Sequence, residues 1–300
     1  MEPSKLVGFV GIGVMGRPMS RRLAEAGYDL IVHDSNAAAT TELQSLGARV
    51  AGSARAVADE AALVFTSLPS PAVFREVALG AEGLVHGKAI RILVDLSTVG
   101  SSAEKEVAAA LLQKGIDTVD APVSGGAAGA RAGTLAVMAA GSPAAVAQAK
   151  PMFEIFGKLI VVGETPGQAQ LLKLLNNMLS STAFAVTAEA YVAGIKGGLD
   201  PEVMMNVFNS GSGRNGATAD KFPKYVLPRT FDFGFPISSV CKDIGLAVDE
   251  CQALGVPMWV GGQSRQLWLS AYLQDGATLD MTALVTFIER WSGGGGKEEA

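Results

Sequence analysis

Cysteine is almost missing from this chain: Cys241 and Cys251 are the only two in 300 residues. Their spacing matches no metal motif and no CxxC redox pair, which leaves two reduced core thiols as the expectation and no metal site. Basic excess is also missing. The net charge of −5 argues against a general nucleic-acid binder. It does not exclude an anionic substrate, since a few local cations suffice to hold one. No segment approaches about 18 uninterrupted apolar residues, and the start, Met-Glu-Pro-Ser-Lys, runs into a short strand and a glycine loop rather than a signal peptide. A cytoplasmic protein without a membrane partner is expected. What the chain has in quantity is apolar residue, 49% against 18% charged, enough to bury a substantial core.

The first half alternates strand and helix patterns. Leu6 to Val10 is a compact apolar run, Gly11-Ile-Gly13-Val-Met-Gly16 follows at once, and Arg17 to Ala26 has helical spacing closed by Gly27. Asp29 to His33 is a second strand, ending at Asp34. A GxGxxG turn after a strand, before a helix, with an acid about 20 residues on, is a dinucleotide-binding pattern. Gly11 permits the tight turn, Gly13 lets the pyrophosphate approach the backbone, and Gly16 lets helix and strand pack closely. The helix N-terminus offers free N–H groups to the phosphates. Val14 and Met15 belong to the same cofactor loop. Asp34 is placed to accept from the adenosine ribose hydroxyls and to repel a 2′-phosphate, which favours NAD over NADP.

Further strands are expected at Leu63 to Ser67, Ile92 to Leu96, Thr118 to Ala121, Leu135 to Ala139 and Leu159 to Val162. Helical segments lie between most of them, near 40–46, 53–59, 71–78, 101–114 and 143–156. Three strands run into small or polar loops: Ser67-Leu68-Pro69, Ser97-Thr98 and Pro122-Val123-Ser124-Gly125-Gly126. Ligands of open parallel sheets bind beyond the carboxyl ends of the strands, so these loops are expected to line one crevice with the glycine loop. The backbone N–H groups of Ser124-Gly125-Gly126, with the hydroxyl, suit a carboxylate. A glycine connection that merely packs on the cofactor is the alternative.

The strand pattern stops near Val162. A helix of about 30 residues is expected from Pro166 through Lys196, followed by helical segments near 201–210, 214–225, 238–254, 261–274 and 280–291. The long helix contains Gly167-Gln-Ala-Gln-Leu-Leu-Lys173-Leu-Leu-Asn-Asn177. A charged amine in an apolar stretch needs a reason, because burying an unpaired charge is costly. Asn177 lies one turn on, on the same face. A snorkelling surface lysine is the competing reading. The division expected is 1–164 for a dinucleotide-binding domain, 165–292 for an all-helical substrate and oligomerisation domain, and 293–300 for a frayed tail.

Four motifs in order, Gly8-Phe-Val-Gly-Ile-Gly-Val-Met-Gly-Arg-Pro-Met19, Asp120-Ala-Pro-Val-Ser-Gly-Gly126, the Gly167 to Asn177 segment and Lys242-Asp-Ile-Gly-Leu-Ala247, make the chain resemble the β-hydroxyacid dehydrogenase family over about residues 5–292. The resemblance implies an α/β Rossmann-type N-terminal domain followed by an all-α C-terminal domain, joined by a long interdomain helix, with the active site in the cleft between them. It implies that Lys173 is catalytic, that Asn177 contacts substrate, and that Ser124, Gly125 and Gly126 bind it. Leu68, Pro69 and Thr98, with Val73 nearby, match loops at the nicotinamide half of the cofactor. Lys242 matches a lysine that closes over the cofactor, although a Lys–Asp pair on a solvated face is the plain alternative. The implied reaction is reversible hydride transfer between NAD(H) and a small β-hydroxy acid, a carboxylate substrate. Lys173 is general acid/base if desolvation and neighbouring cations bring its pKa toward neutrality. The flanking Leu171, Leu172, Leu174 and Leu175 are expected to supply the apolar surroundings. Arg214 is a candidate substrate-selective cation or a water-facing residue at a helix start. His33 and His86 have no expected catalytic role. Relatives are dimers or tetramers, so a homodimer or homotetramer is implied.

Three departures stand out. Ala169 replaces a frequent glycine, Arg22 a frequent asparagine, and Phe233 a frequent proline near the substrate end. Two other readings compete. One is an imine reductase on the same scaffold, against which Lys173 speaks. The other is a non-catalytic NAD-binding module, which loss of Lys173, Asn177 or the Ser-Gly-Gly loop would have favoured.

Overall fold

In the computed structural model, residues 5–293 are described; the expected tail beyond Gly293 lies outside them. The chain forms two compact units, Met1–Lys173 and Leu174–Ala300.

Among the described residues the first unit has nine strands: β1 (Leu6–Val10), β2 (Asp29–His33), β3 (Arg49–Val50), β4 (Leu63–Thr66), β5 (Ile92–Asp95), β6 (Asp117–Asp120), β7 (Val123–Ser124), β8 (Leu135–Ala140) and β9 (Gly157–Gly163). Their order is β3-β2-β1-β4-β5-β6-β8-β7, with β9 also paired to β8. The run from β3 to β6 is parallel. β8 runs antiparallel to both β6 and β7. The order reverses between β1 and β4, the switch point at which parallel sheets bind ligands. The connecting helices are α1 (Gly16–Glu25), α2 (Thr41–Ser45), α3 (Ala54–Ala58), α4 (Pro71–Leu79), α5 (Ser101–Leu112), α6 (Gly126–Ala132) and α7 (Pro143–Phe156).

Strand residues alternate between two cores because their side chains have a period of two. Phe9, Val32, Phe65 and Val94 join Met19 and Leu23 of α1 and Phe153 and Phe156 of α7 on one face. Val10, Ile31, Val64 and Leu93 join Val57 of α3, Phe74 of α4 and Val107 of α5 on the other. Arg22 has a structural use here: its guanidinium donates to the carbonyls of Ile155 and Arg131, tying α1 to the end of α7 and to α6.

Three short elements depart from the sequence expectation. β3 and β7 are two residues each, below the length at which alternation is visible. α6 contains Gly126 and Gly129, weak helix formers that read as loop.

The second unit is helical: α8 (Gln168–Lys196), which begins in the first unit, then α9 (Pro201–Ser210), α10 (Ile237–Ala253), α11 (Trp259–Ala271) and α12 (Leu284–Trp291). α8 starts after Gly167, whose φ of +94° cannot continue a right-handed helix backward. It is long and apolar enough to cross a membrane by length and composition, although no single run in the sequence suggested it. Its Phe184, Ala188 and Val192 are buried with Phe222, Trp268 and Phe287 in the core of the second unit. The expected helix at 214–225 is instead a π-helical segment, Ala217–Val226, with Pro223 inside it. An i→i+5 ladder and an i→i+4 ladder bury similar apolar spacings, so the pattern could not separate them. Both cysteines are free, Cys251 buried and Cys241 half-buried; burial pushes the Cys241 thiol up to about 11.

Candidate active site

The glycine loop follows β1 at the switch point. Gly11 has φ +92°, and a Cβ there would overlap the carbonyl oxygen of Ser67. A Cβ on Gly16 would overlap the carbonyl oxygen of Gly11 and crowd Phe9. These two glycines are demanded by the fold. Gly13 is different: it is exposed, and a Cβ there would meet no protein atom. That open space beside the uncapped N-terminus of α1 fits the pyrophosphate of a dinucleotide. Val14 is 76% exposed beside it, an apolar side chain left for a ligand to cover, while Met15 packs partly into the core. Asp34 fixes the loop from the end of β2. Its two carboxylate oxygens accept from the N–H of Ile12 and of Asn36, each at 2.7 Å. His33 is engaged with the Ala51 carbonyl through Nδ1 at 3.0 Å.

The loops after β4 and β5 are fastened to each other. The N–H of Leu68 donates to Ser97 Oγ at 2.7 Å, and Ser97 Oγ and Thr66 Oγ1 both donate to Asp95 Oδ1 at 2.6 Å. Pro69 is exposed and Thr98 half-buried. Ser70 caps α4 by accepting from the N–H of Val73, whose side chain is partly exposed. Beyond β7, Gly125 and Gly126 have φ of +131° and +63°, and both are exposed, with Ser124 half-buried.

Lys173 is 7% exposed, in the second turn of α8. Its position follows from Gln170, a fully buried residue that sequence reasoning passed over. The Gln170 side-chain oxygen accepts from the N–H groups of Val99 and Gly100 at 3.0 and 3.2 Å. Its amide nitrogen donates to the Ser97 carbonyl at 3.0 Å, and its backbone N–H donates to Asp120 Oδ2 at 2.8 Å. Gln170 thereby pins the start of α8 to the ends of β5 and β6. Ala169 beside it is fully buried with Met138 and Ala140, which leaves no room for a larger side chain. The expected leucine cage is corrected: Leu174 is fully buried but Leu172 is 41% exposed, because successive helical residues point about 100° apart.

Beneath this turn lie three buried carboxyl groups, Asp95, Glu104 and Asp120, all with no exposure. Burial, then repulsion from Asp95 and Asp120, raises Glu104 well above the usual glutamate range. Burial pushes Asp120 up to about 7, against N–H donors from Gln170 and Gly167 that favour its charge. At these two groups the folded state binds more protons than the unfolded one, so the stability they contribute is present in full below about pH 4 and is lost as pH rises toward 7. Glu104→Gln, which mimics the protonated acid, is expected to raise Tm at pH 8 by several degrees, at about 2–4 °C per kcal/mol, and to leave it unchanged at pH 4. Thermal melts of both proteins across that range check it; equal shifts at both pH values would contradict it.

In the second unit, Asn177 is held by a residue that sequence reasoning did not single out. Its Nδ2 donates to Asp243 Oδ2 at 2.6 Å, and Asp243 is 3% exposed. Asn176 is exposed and donates to Asn177 Oδ1 at 3.3 Å. Lys242 Nζ is 2.8 Å from Asp243 Oδ1. The Lys–Asp pair is thus no solvated surface pair, because its acid is buried and shared with Asn177. Arg214 is exposed in the loop after α9. The buried cation of that stretch is Lys221, also 7% exposed. Among the described residues no group of three His, Cys, Asp or Glu side chains is arranged to hold a metal.

Residues 6–163 match the family described as the NAD binding domain of 6-phosphogluconate dehydrogenase, and residues 167–288 match the NAD-binding domain of NADP-dependent 3-hydroxyisobutyrate dehydrogenase. The chain belongs to the β-hydroxyacid dehydrogenase family. It is 35% identical to 2-(hydroxymethyl)glutarate dehydrogenase of Eubacterium barkeri over 98% of either chain. The solved structure of Mycobacterium tuberculosis 3-hydroxyisobutyrate dehydrogenase with L-serine superposes with a TM-score of 0.86 at 30% identity, covering 94% of this chain and 98% of that one. A structure of Psf3 in complex with NADP+ and 2-OPP gives 0.82 at 28%, covering 94% and 99%. As a β-hydroxyacid dehydrogenase, this protein is an NAD(P)-dependent oxidoreductase acting on a CH–OH group, on a Rossmann-type unit followed by a helical one.

Proposed function

We propose that the protein catalyses reversible oxidation of a small β-hydroxy acid with NAD, and that Lys173 is its general acid and base. The observation that carries this reading is the burial of Lys173 on a helix start that Gln170 anchors to the carboxyl ends of β5 and β6, the edge of the sheet at which dinucleotides and their substrates bind. Bound nicotinamide supplies the hydride exchange. In oxidation, neutral Lys173 takes the hydroxyl proton as the hydride leaves the carbon; in reduction, its ammonium returns a proton to the oxygen. Asn177, its Nδ2 held by Asp243, positions the hydroxyl. Ser124 and the N–H groups of Gly125 and Gly126 hold the carboxylate. Lys242, paired with the buried Asp243, is assigned to cofactor binding.

The substrate is a β-hydroxy acid of the kind named for the relatives, 3-hydroxyisobutyrate or 2-(hydroxymethyl)glutarate. A steady-state screen of β-hydroxy acids with NAD and NADP side by side tests the reading; dinucleotide binding with no turnover across the panel would remove it. Asp34 supports NAD, since its carboxylate repels a 2′-phosphate. Asp34→Ser is expected to shift the ratio of kcat/KM values toward NADP by at least about tenfold. A fall with both cofactors alike would restrict Asp34 to ordering the loop through Ile12. The face of α8 bearing Leu172, Leu179 and Val186, exposed by 41%, 69% and 56%, supports association of copies into a dimer or tetramer, which sedimentation checks.

A further inference from the structure

Among the described residues, the proposed chemistry leaves the buried cation Lys221 without a use. Lys221 lies in the π-helical segment Ala217–Val226, a geometry that recurs at functional sites. Its Nζ is 3.3 Å from Ser180 Oγ and 5.1 Å from the centre of the Phe233 ring. Among the described residues no carboxylate lies within ion-pair distance. The adjacent Asp220 is turned to Lys224 at 2.6 Å. Burial lowers the Lys221 pKa, with the charge of Asp220 opposing it. A hydroxyl and a ring face ease an ammonium but do not neutralise it, and a buried unpaired charge is costly. An arriving anion would remove that cost.

The place of Ser180 indicates which anion. It follows Asn177 by three residues and Lys173 by seven on α8, so all three project from one face of the helix. At about 1.5 Å per residue, Ser180 stands roughly 10 Å along the axis from Lys173. The carboxylate of a four-carbon β-hydroxy acid, borne by the carbon next to the reacting one, does not extend that far; a second acidic group several atoms away does. Phe233, the departure noted in the sequence, forms the apolar wall beside this cation.

We propose that Lys221, assisted by Ser180, binds a distal carboxylate of the substrate, so that the protein prefers a β-hydroxy dicarboxylic acid to a monocarboxylic one. This rests on the reading that the Lys173–Asn177 face of α8 meets the reacting hydroxyl. The test is kcat/KM with NAD for 2-(hydroxymethyl)glutarate and 3-hydroxyisobutyrate in the full-length wild type and in Lys221→Met, Lys221→Arg, Ser180→Ala and Lys173→Met. The wild type is expected to favour the diacid at least about tenfold. Lys221→Met should lose about 100-fold on the diacid, mainly through KM, while the monoacid changes by no more than about twofold. Lys221→Arg should recover part of the preference, and Ser180→Ala should lower it modestly. Equal losses on both acids, or a wild type indifferent between them, would overturn the proposal. Full turnover by Lys173→Met would instead remove the acid/base reading, while a diacid preference that depends on Lys221 would still stand.

Discussion

Lys173→Met is expected to lower kcat by about 10²–10⁴-fold in both directions of the reaction, the range that a positioned proton donor or acceptor supplies. Loss in both directions follows because the same amine takes the proton in oxidation and returns it in reduction. NADH affinity should not change, since the residues that line the dinucleotide loop are Gly11 to Gly16 and Asp34, not α8. Lys173→Arg sharpens the test: it retains positive charge but cannot give up a proton near neutrality, so it should be as inactive as the methionine variant. An active arginine variant would mean that Lys173 supplies charge alone. Titration of NADH fluorescence alongside initial rates separates binding from chemistry.

The second large effect concerns Gly13. In Gly13→Ala the new methyl meets open space in the protein, so the unliganded fold should melt as the wild type does. The methyl nevertheless occupies the approach of the pyrophosphate to the backbone, and the KM for the dinucleotide should rise by about 100-fold, with Gly13→Val worse still. Gly16→Ala makes the opposite prediction. Its Cβ overlaps the Gly11 carbonyl oxygen, so the loop and the start of α1 must shift, and stability should fall along with affinity. If Gly13→Ala lost stability without losing affinity, the loop would be a structural turn and not a phosphate cradle.

How far these residues were legible beforehand depends on the range of the interactions that define them. Gly11, Gly13, Gly16 and Asp34 act through local backbone chemistry, so their spacing carried the strand, turn and helix and the class of cofactor. Lys173 and Asn177 stood out because polar groups one turn apart in an apolar helix are costly unless used. Gln170 did not stand out: its partners, Ser97, Val99, Gly100 and Asp120, are 50 to 73 residues away in sequence, and a glutamine in a helix has nothing odd about it. Glu104 was hidden for a similar reason, since a glutamate in the first turn of a helix usually faces water and favours the dipole. Asp243 was visible only as a neighbour of Lys242. Its contact with Asn177 joins α8 to α10, which no local pattern reports. Arg214 drew attention as a cation among glycines, yet glycines make exposed loops. Lys221, seven residues on between Asp220 and Phe222, reads as one more charge on a polar stretch; only the fold buries it.

The central claim is that the Lys173 amine exchanges a proton with the substrate hydroxyl. A structure of the complex with NADH and a β-hydroxy acid tests it most directly, through the separation of Lys173 Nζ from the hydroxyl oxygen. The expected separation is about 2.6–3.2 Å, with the oxygen shared with Asn177. An amine turned away from the bound acid, with no single water bridging the two, would contradict it.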